Sequence, residues 1–258
     1  MVKWLPLFES KFKPGTLIGN YQIIRPLGIG SYGITYLADS KRICKKVVIK
    51  QLRKHKRKIK KGIDSFQKEK EILSSLSHPS IPRFIEEKKI GKHHVLILEY
   101  KKGRTVEEEI FERGTKYSEK EAFIYLFKVL EIVKYLHEHH IVHRDLRLPN
   151  ILIDEHQVNI IDFGLARFTY DVEEYRSSYL LEKRLMREIH FRSDFYALGH
   201  FVLFLLYSTF IPISVKEKSW EEELDISSNA KYIIRRLLML AQPYDEIDEL
   251  IEDVKKLL

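Results

Sequence analysis

His143-Arg144-Asp145-Leu146-Arg147-Leu148-Pro149-Asn150, followed twelve residues after Asn150 by Asp162-Phe163-Gly164, decides how this chain is read. The two stretches bring two acids, an amide and two arginines onto irregular segments, flanked by the strand-like runs Ile151 to Ile153 and Val158 to Ile161. Two carboxylates and an asparagine converging on one spot make a poor packed core, because buried charges need partners. Around Mg2+ and phosphate oxygens the same groups are well matched, since that cation takes hard oxygen donors.

Working toward the N-terminus, Gly28-Ile29-Gly30-Ser31-Tyr32-Gly33 fits G-x-G-x-x-G. Alone the spacing is weak, because a dinucleotide fold uses it between a strand and a helix. Here Ile34-Thr35-Tyr36-Leu37-Ala38 follows, β-branched and aromatic, so the turn joins two strands and offers no helix N-terminus to a pyrophosphate. An ordinary glycine hairpin is the plain alternative. Lys50 ends Val47-Val48-Ile49-Lys50, and Glu69 stands nineteen residues further on, in a segment of helical spacing. A lone strand-end lysine is usually a solvated edge residue, so that pair carries weight only in company.

In company the order is telling. Glycine loop, strand lysine, helix glutamate, H-R-D-x-x-x-x-N and D-F-G together resemble the protein kinase superfamily from about Tyr21 to the C-terminus. The resemblance implies an α+β, bilobal fold, with a small antiparallel β lobe holding one main helix and a larger, mostly helical lobe. It also implies ATP and Mg2+ as cofactors, with Mn2+ as the alternative metal, and a protein substrate. By resemblance, Gly28, Ile29, Gly30, Ser31, Tyr32 and Gly33 surround the phosphates. Lys50 holds the α- and β-phosphates and pairs with Glu69, Glu71 being the neighbouring alternative. Asp145 orients the acceptor hydroxyl and takes its proton, while Asn150 and Asp162 bind the metal. Leu98-Glu99-Tyr100-Lys101 resembles the lobe-connecting hinge, where the backbone at Glu99 and Lys101 reads adenine and Val48 and Leu152 sandwich the ring. Asp194 resembles the buried aspartate that braces the catalytic loop.

Two departures matter. Arg147 stands where serine/threonine kinases usually place a lysine toward the transferred phosphate and some tyrosine kinases an arginine, so it leaves the acceptor hydroxyl open. No A-P-E occurs between Gly164 and Asp194, and the arginine that usually pairs with its glutamate is missing from Gln242-Pro243-Tyr244-Asp245-Glu246-Ile247. Joint loss of both halves suggests a rebuilt peptide platform in an intact fold. The lead Gly15-Thr16-Leu17-Ile18-Gly19-Asn20-Tyr21 resembles bacterial serine/threonine kinases, which sets the first expectation: phosphoryl transfer to serine or threonine. Alternatives are a small-molecule kinase of the same superfamily, a tyrosine or dual-specificity kinase and, last, a pseudokinase scaffold.

Composition agrees with a folded chain of this size. Hydrophobic residues make up 44% and charged residues 32% of 258, which excludes collagen-like and wholly disordered classes. One cysteine, Cys44, excludes an internal disulfide and a four-cysteine zinc site. The N-terminus shows no long apolar run with a small-residue cleavage site, so the expected location is cytoplasmic. Ala197 to Ile213 is too short and too polar for a membrane span and reads as a buried helix. Of the net charge of +8, seven positive residues lie between Arg53 and Lys61. Such a run reads first as a solvated loop or helix face and second as a site for an anionic partner. Nucleic acid is disfavoured because no aromatic residue interleaves with the run.

The periodicities divide the chain into an extension (1–20), a β-rich lobe (21–98), a connecting segment (99–103) and a helical lobe (104–258). Strands are expected at Tyr21 to Leu27, Ile34 to Ala38, Val47 to Lys50, Phe84 to Glu87 and Val95 to Tyr100, with a helix over Ile63 to Leu76 stopped by Pro79. Ser118 and Glu121 form a capping-box pattern before the stripe Ala122, Leu126, Val129, Leu130, Val133 and Leu136. Tyr232 to Leu240 and Ile247 to Leu258 read as further helices.

Overall fold

The computed structural model describes residues 11–30, 32–172, 181–211 and 218–258. The chain divides into two compact units, with the boundary between Lys101 and Lys102.

In the first unit the β-branched and aromatic runs form strands β1 (Leu17–Ile18), β2 (Tyr21–Ile29), β3 (Gly33–Ser40) and β4 (Lys45–Leu52), then helix α1 (Lys60–Ser75), then β5 (Phe84–Ile90) and β6 (His93–Glu99). They build one antiparallel sheet in the order β1-β2-β3-β4-β6-β5. One face is a core of Ile18, Tyr21, Ile23, Ile34, Tyr36, Val47, Ile49, Val95 and Ile97, with Phe12 packed against it. Leu96 and Leu98 of β6 are buried as well, so this strand is covered on both faces as its unbroken apolar run predicts. β1 comes from the segment assigned to the extension: Leu17 and Ile18 pair with Gln22 and Tyr21.

Helix α1 starts three residues earlier than expected and takes in Lys60 and Lys61, the end of the basic run. Much of that run is not merely solvated. Arg53 Nη1 donates to the Gly30 carbonyl at 3.1 Å, Lys56 Nζ lies 4.4 Å from the Tyr32 ring centre, and Arg57 bonds the Lys92 carbonyl. Lys54, Lys58, Lys60 and Lys61 are exposed.

Second in the second unit, after Lys102, is Gly103, whose φ of +123° suits only glycine and where a Cβ would lie 2.6 Å from the Ile153 carbonyl. β7 (Arg104–Thr105) follows at once, then α2 (Val106–Phe111), both unforeseen. Next come α3 (Glu119–Glu138), β8 (Ile141–Val142), β9 (Ile151–Asp154), β10 (Gln157–Ile160), β11 (Arg167–Phe168), α4 (Leu181–Leu185), α5 (Phe191–Tyr207), α6 (Trp220–Glu223), α7 (Ser228–Leu237) and α8 (Ile247–Lys255). The predicted capping box is formed: Ser118 Oγ accepts from the Glu121 N–H, and the Glu121 carboxylate accepts from the Ser118 N–H. The α3 stripe is buried and packs on α5 and α8, with α7 behind α5. The apolar run near Ala197 belongs to α5, which begins at Phe191 and ends at Tyr207. No helix among the described residues is long and apolar enough to cross a membrane. The fold is α+β, with an antiparallel sheet in the first unit and mostly helix in the second.

Candidate active site

The loop between β8 and β9 carries His143 to Asn150, and a buried carboxylate shapes it. Asp194, on α5 and with no exposed surface, accepts the His143 N–H on Oδ2 at 2.9 Å and the Arg144 N–H on Oδ1 at 2.8 Å. His137 Nε2 lies 3.1 Å from the same Oδ2. These bonds hold Arg144 at a φ of 64°, a conformation non-glycine residues adopt only when their surroundings enforce it. Burial pushes the His143 imidazole below its usual range, against the pull of Asp194, Asp145 and Asp162, and the ring packs edge-on against Phe163.

Asp145, next along the loop, is 7% exposed. Asn150 Nδ2 donates to its Oδ2 and to its backbone carbonyl, both at 2.9 Å. Arg147 Nε donates to Oδ1 at 2.9 Å, and Arg187 Nη2 lies 3.3 Å from that oxygen. The Asn150 carbonyl accepts the Ile161 N–H at 2.9 Å, which anchors the chain entering Asp162. Asp162 also has a left-handed backbone, φ 63°, and its Oδ1 accepts the Gly164 N–H at 3.3 Å. Because the Asn150 amide nitrogen is engaged with Asp145, its oxygen is what it can offer a cation. That oxygen and the Asp162 carboxylate are hard donors of the kind a divalent cation takes.

In the first unit Lys50 and Glu69 meet, and both carboxylate oxygens lie 2.6 Å from Nζ. Glu71 faces outward to Lys68, which resolves the choice of glutamate. Gly33 lies across the Lys50 side chain: a Cβ there would sit 3.1 Å from Lys50 Cγ and Cε and 3.3 Å from the Gln51 carbonyl, a tight fit that would make the Lys50 side chain give way by a few tenths of an ångström. At the hairpin tip the Gly30 N–H donates to the Gly33 carbonyl, and Thr35 Oγ1 donates to the Gly28 carbonyl. Ile29 is exposed and Tyr32 half-buried, while Ser31 lies outside the described residues. Val48 is half-buried and Leu152, in the second unit, is buried. At the end of β6 the Glu99 N–H donates to the Arg83 carbonyl, and Lys101 Nζ bonds the Pro79 carbonyl. Burial opposes it, yet bonds from Lys101 and Arg83 hold the Glu99 carboxyl below its usual range.

Two contacts escape sequence reading. Arg187 was legible only as one of several basic residues after Gly164, with no sign that it reaches Asp145. Arg53 likewise gave no sign of bonding the glycine hairpin.

A glycine hairpin over a buried lysine–glutamate pair, together with a loop presenting aspartate, asparagine and a second aspartate, defines the phosphotransferase class. The chain belongs to the protein kinase family. The family described as protein kinase domain matches residues 21–258. The chain is 34% identical over 253 residues to the probable serine/threonine-protein kinase YbdM of Bacillus subtilis, covering 97% of this chain and 94% of that protein. It is 37% identical over 166 residues to the carbon catabolite-derepressing protein kinase of Saccharomyces cerevisiae, covering 63% of this chain but 26% of the yeast protein. It is 35% identical over 147 residues to human NUAK family SNF1-like kinase 1, covering 57% of this chain and 22% of that protein.

Proposed function

We propose that this kinase transfers the γ-phosphoryl group of ATP to serine or threonine hydroxyls of protein substrates, with Asp145 as the residue that meets the acceptor. The observation that carries this is the Asp145 carboxylate, nearly buried and oriented at Oδ2 by Asn150. A buried, oriented carboxylate can align a hydroxyl and take its proton as phosphoryl transfer proceeds. Lys50, fixed by Glu69, steadies the α- and β-phosphates under the backbone of Gly28 to Gly33. Asp162 and the Asn150 oxygen would hold Mg2+ or Mn2+, which offsets phosphate charge when bound. Arg147 is assigned to the transferred phosphate, and Val48, Leu152 and the backbone of Glu99 and Lys101 to adenine. In this reading residues 21–98 and 104–258 are the two lobes, 99–103 connects them, and 1–20 is an extension whose Leu17 and Ile18 add a short strand to the first sheet.

Serine/threonine preference is supported by the name of the Bacillus relative, which matches over nearly its full length. Small-molecule phosphorylation is the second reading, favoured by the missing A-P-E between Gly164 and Asp194. A cytoplasmic location is the companion proposal, in keeping with the single, exposed Cys44. The exposed part of the basic run is assigned to an anionic partner.

Purified protein incubated with labelled ATP, Mg2+ or Mn2+ and protein acceptors tests this directly. Phosphate mapped to serine or threonine, and lost in folded Asp162→Asn, is the expected result. Label appearing only on metabolites would favour the second reading, and wild-type rates in folded Asp162→Asn would overturn the metal and phosphate assignments.

A further inference from the structure

Arg187 follows α4 in the segment between Gly164 and α5, a segment without the usual A-P-E. Its guanidinium is engaged at two points: Nη1 donates to the Arg144 carbonyl at 2.6 Å, and Nη2 lies 3.3 Å from Asp145 Oδ1. The Arg187 carbonyl in turn accepts from Arg144 Nε at 2.8 Å. Each of these arginines therefore binds the backbone of the other. We infer that Arg187 is a positioning residue for phosphoryl transfer, fixing the Asp145 carboxylate from the segment that follows Gly164. The inference rests on the kinase reading of Asp145.

Asp145 has two cationic neighbours at one oxygen, and they differ in kind. The Arg147 side chain is 56% exposed and sits two residues away on the same loop, so solvent competes for it and the contact is weak. The Arg187 side chain is 26% exposed and held at its head group by a backbone carbonyl. A planar fork already anchored at one nitrogen loses little freedom in binding with the other. With Arg187 and Arg147 on Oδ1 and Asn150 on Oδ2, the carboxylate cannot rotate freely, and a carboxylate this buried needs the countercharge. Arg187 acts through Asp145 rather than on substrate. Through it, seating of the post-Gly164 segment is sensed at the residue that meets the acceptor.

The test uses the full-length chain with four proteins: wild type, Arg187→Ala, Asp145→Asn and the double variant, with kcat and KM measured for ATP and acceptor. Arg187→Ala is expected to lower kcat about 10- to 100-fold and leave the KM for ATP within about twofold, because misorienting one reacting group slows chemistry without weakening nucleotide binding. Arg187→Lys should recover part of the loss. In the Asp145→Asn background Arg187→Ala should change the residual rate by less than about twofold, since a residue that works through Asp145 has no effect without it. A merely structural role would give the same fold loss in both backgrounds, and that outcome overturns the inference. So does Arg187→Ala at the wild-type rate, or faster, which would mark the contact as a block on Asp145. If Arg187→Ala does not fold, Arg187→Lys and Arg187→Gln decide: higher kcat in the lysine variant supports the role and equal kcat rejects it. A wild type without transfer activity rejects the kinase reading and this inference together, whereas an active wild type with an unaffected Arg187→Ala rejects this inference alone.

Discussion

Lys50 and Glu69 form a closed pair, with both carboxylate oxygens 2.6 Å from the ammonium and side-chain exposures of 6% and 2%. A pair so dry stabilises the fold little compared with an apolar replacement, whereas removing one partner leaves a buried charge without compensation. Positioning is therefore the better reason for its presence.

Lys50→Met should lower phosphoryl transfer by at least about 100-fold if, as proposed, Lys50 neutralises phosphate charge. It should also lower Tm, since Glu69 is left facing an apolar neighbour. Adding Glu69→Met should return Tm toward the wild-type value while activity stays absent. Thermal melts and radiolabel assays on the three variants separate stability from catalysis, and recovery of activity in the double variant would contradict the assignment.

Phosphorylation of the segment after Gly164 should not be required for activity. The described parts of that segment are already fastened: β11 pairs with β8, the Thr169 N–H donates to the His140 carbonyl, and Arg144 donates to the carbonyls of Leu165 and Arg187. Within the segment, Asp171 accepts the Phe168 N–H, while Glu173 and Glu174 lie outside the described residues. Protein treated with phosphatase and verified unmodified by mass spectrometry should keep most of its rate at saturating ATP. A fall to a few per cent, reproduced by Thr169→Ala, would show ordinary phosphate switching.

The basic run should split into two functional halves. Arg53→Ala with Lys56→Ala should raise the KM for ATP about three- to tenfold, because both residues steady the glycine hairpin, one through the Gly30 carbonyl and one through the Tyr32 ring. Replacing exposed Lys54, Lys58, Lys60 and Lys61 by glutamine should leave activity on a small neutral peptide within about twofold of wild type. The reverse pattern in steady-state kinetics would place the run's catalytic support in its exposed half.

Stability of the first unit should fall on acidification through His93. The Tyr36 hydroxyl donates to Gln51 Oε1, which turns the amide nitrogen toward His93 Nδ1 at 2.8 Å and makes that ring nitrogen an acceptor. Burial, then the cations Arg57 and Lys92, lower its pKa from 6.5. The unfolded chain therefore takes up the proton first, so the contribution is full above about pH 6.5 and is lost as pH falls through the folded value. The Tm difference between wild type and His93→Phe should be largest near pH 8 and shrink toward pH 5, both approximate settings on either side of that window. A constant difference would exclude His93 as the titrating group.

Periodic and motif information was legible in the sequence because it is local. The α3 stripe, its capping box, the apolar β6 run and the order of glycine loop, lysine, glutamate and two acidic motifs need only residue type and spacing. Helix α2 was legible in principle, since Thr105 and Glu108 repeat the capping signal that announces α3, but two-residue strands such as β1 and β7 have no period to detect. Motif spacing already puts Glu69 ahead of Glu71 as the partner of Lys50, and the structure agrees; tertiary structure alone decided that Arg53 meets the Gly30 carbonyl and Arg187 meets Asp145. Charged side chains are long and exchange partners readily, and their spacing along the chain does not encode which backbone will lie beside them. That is set only when apolar burial has folded distant segments together.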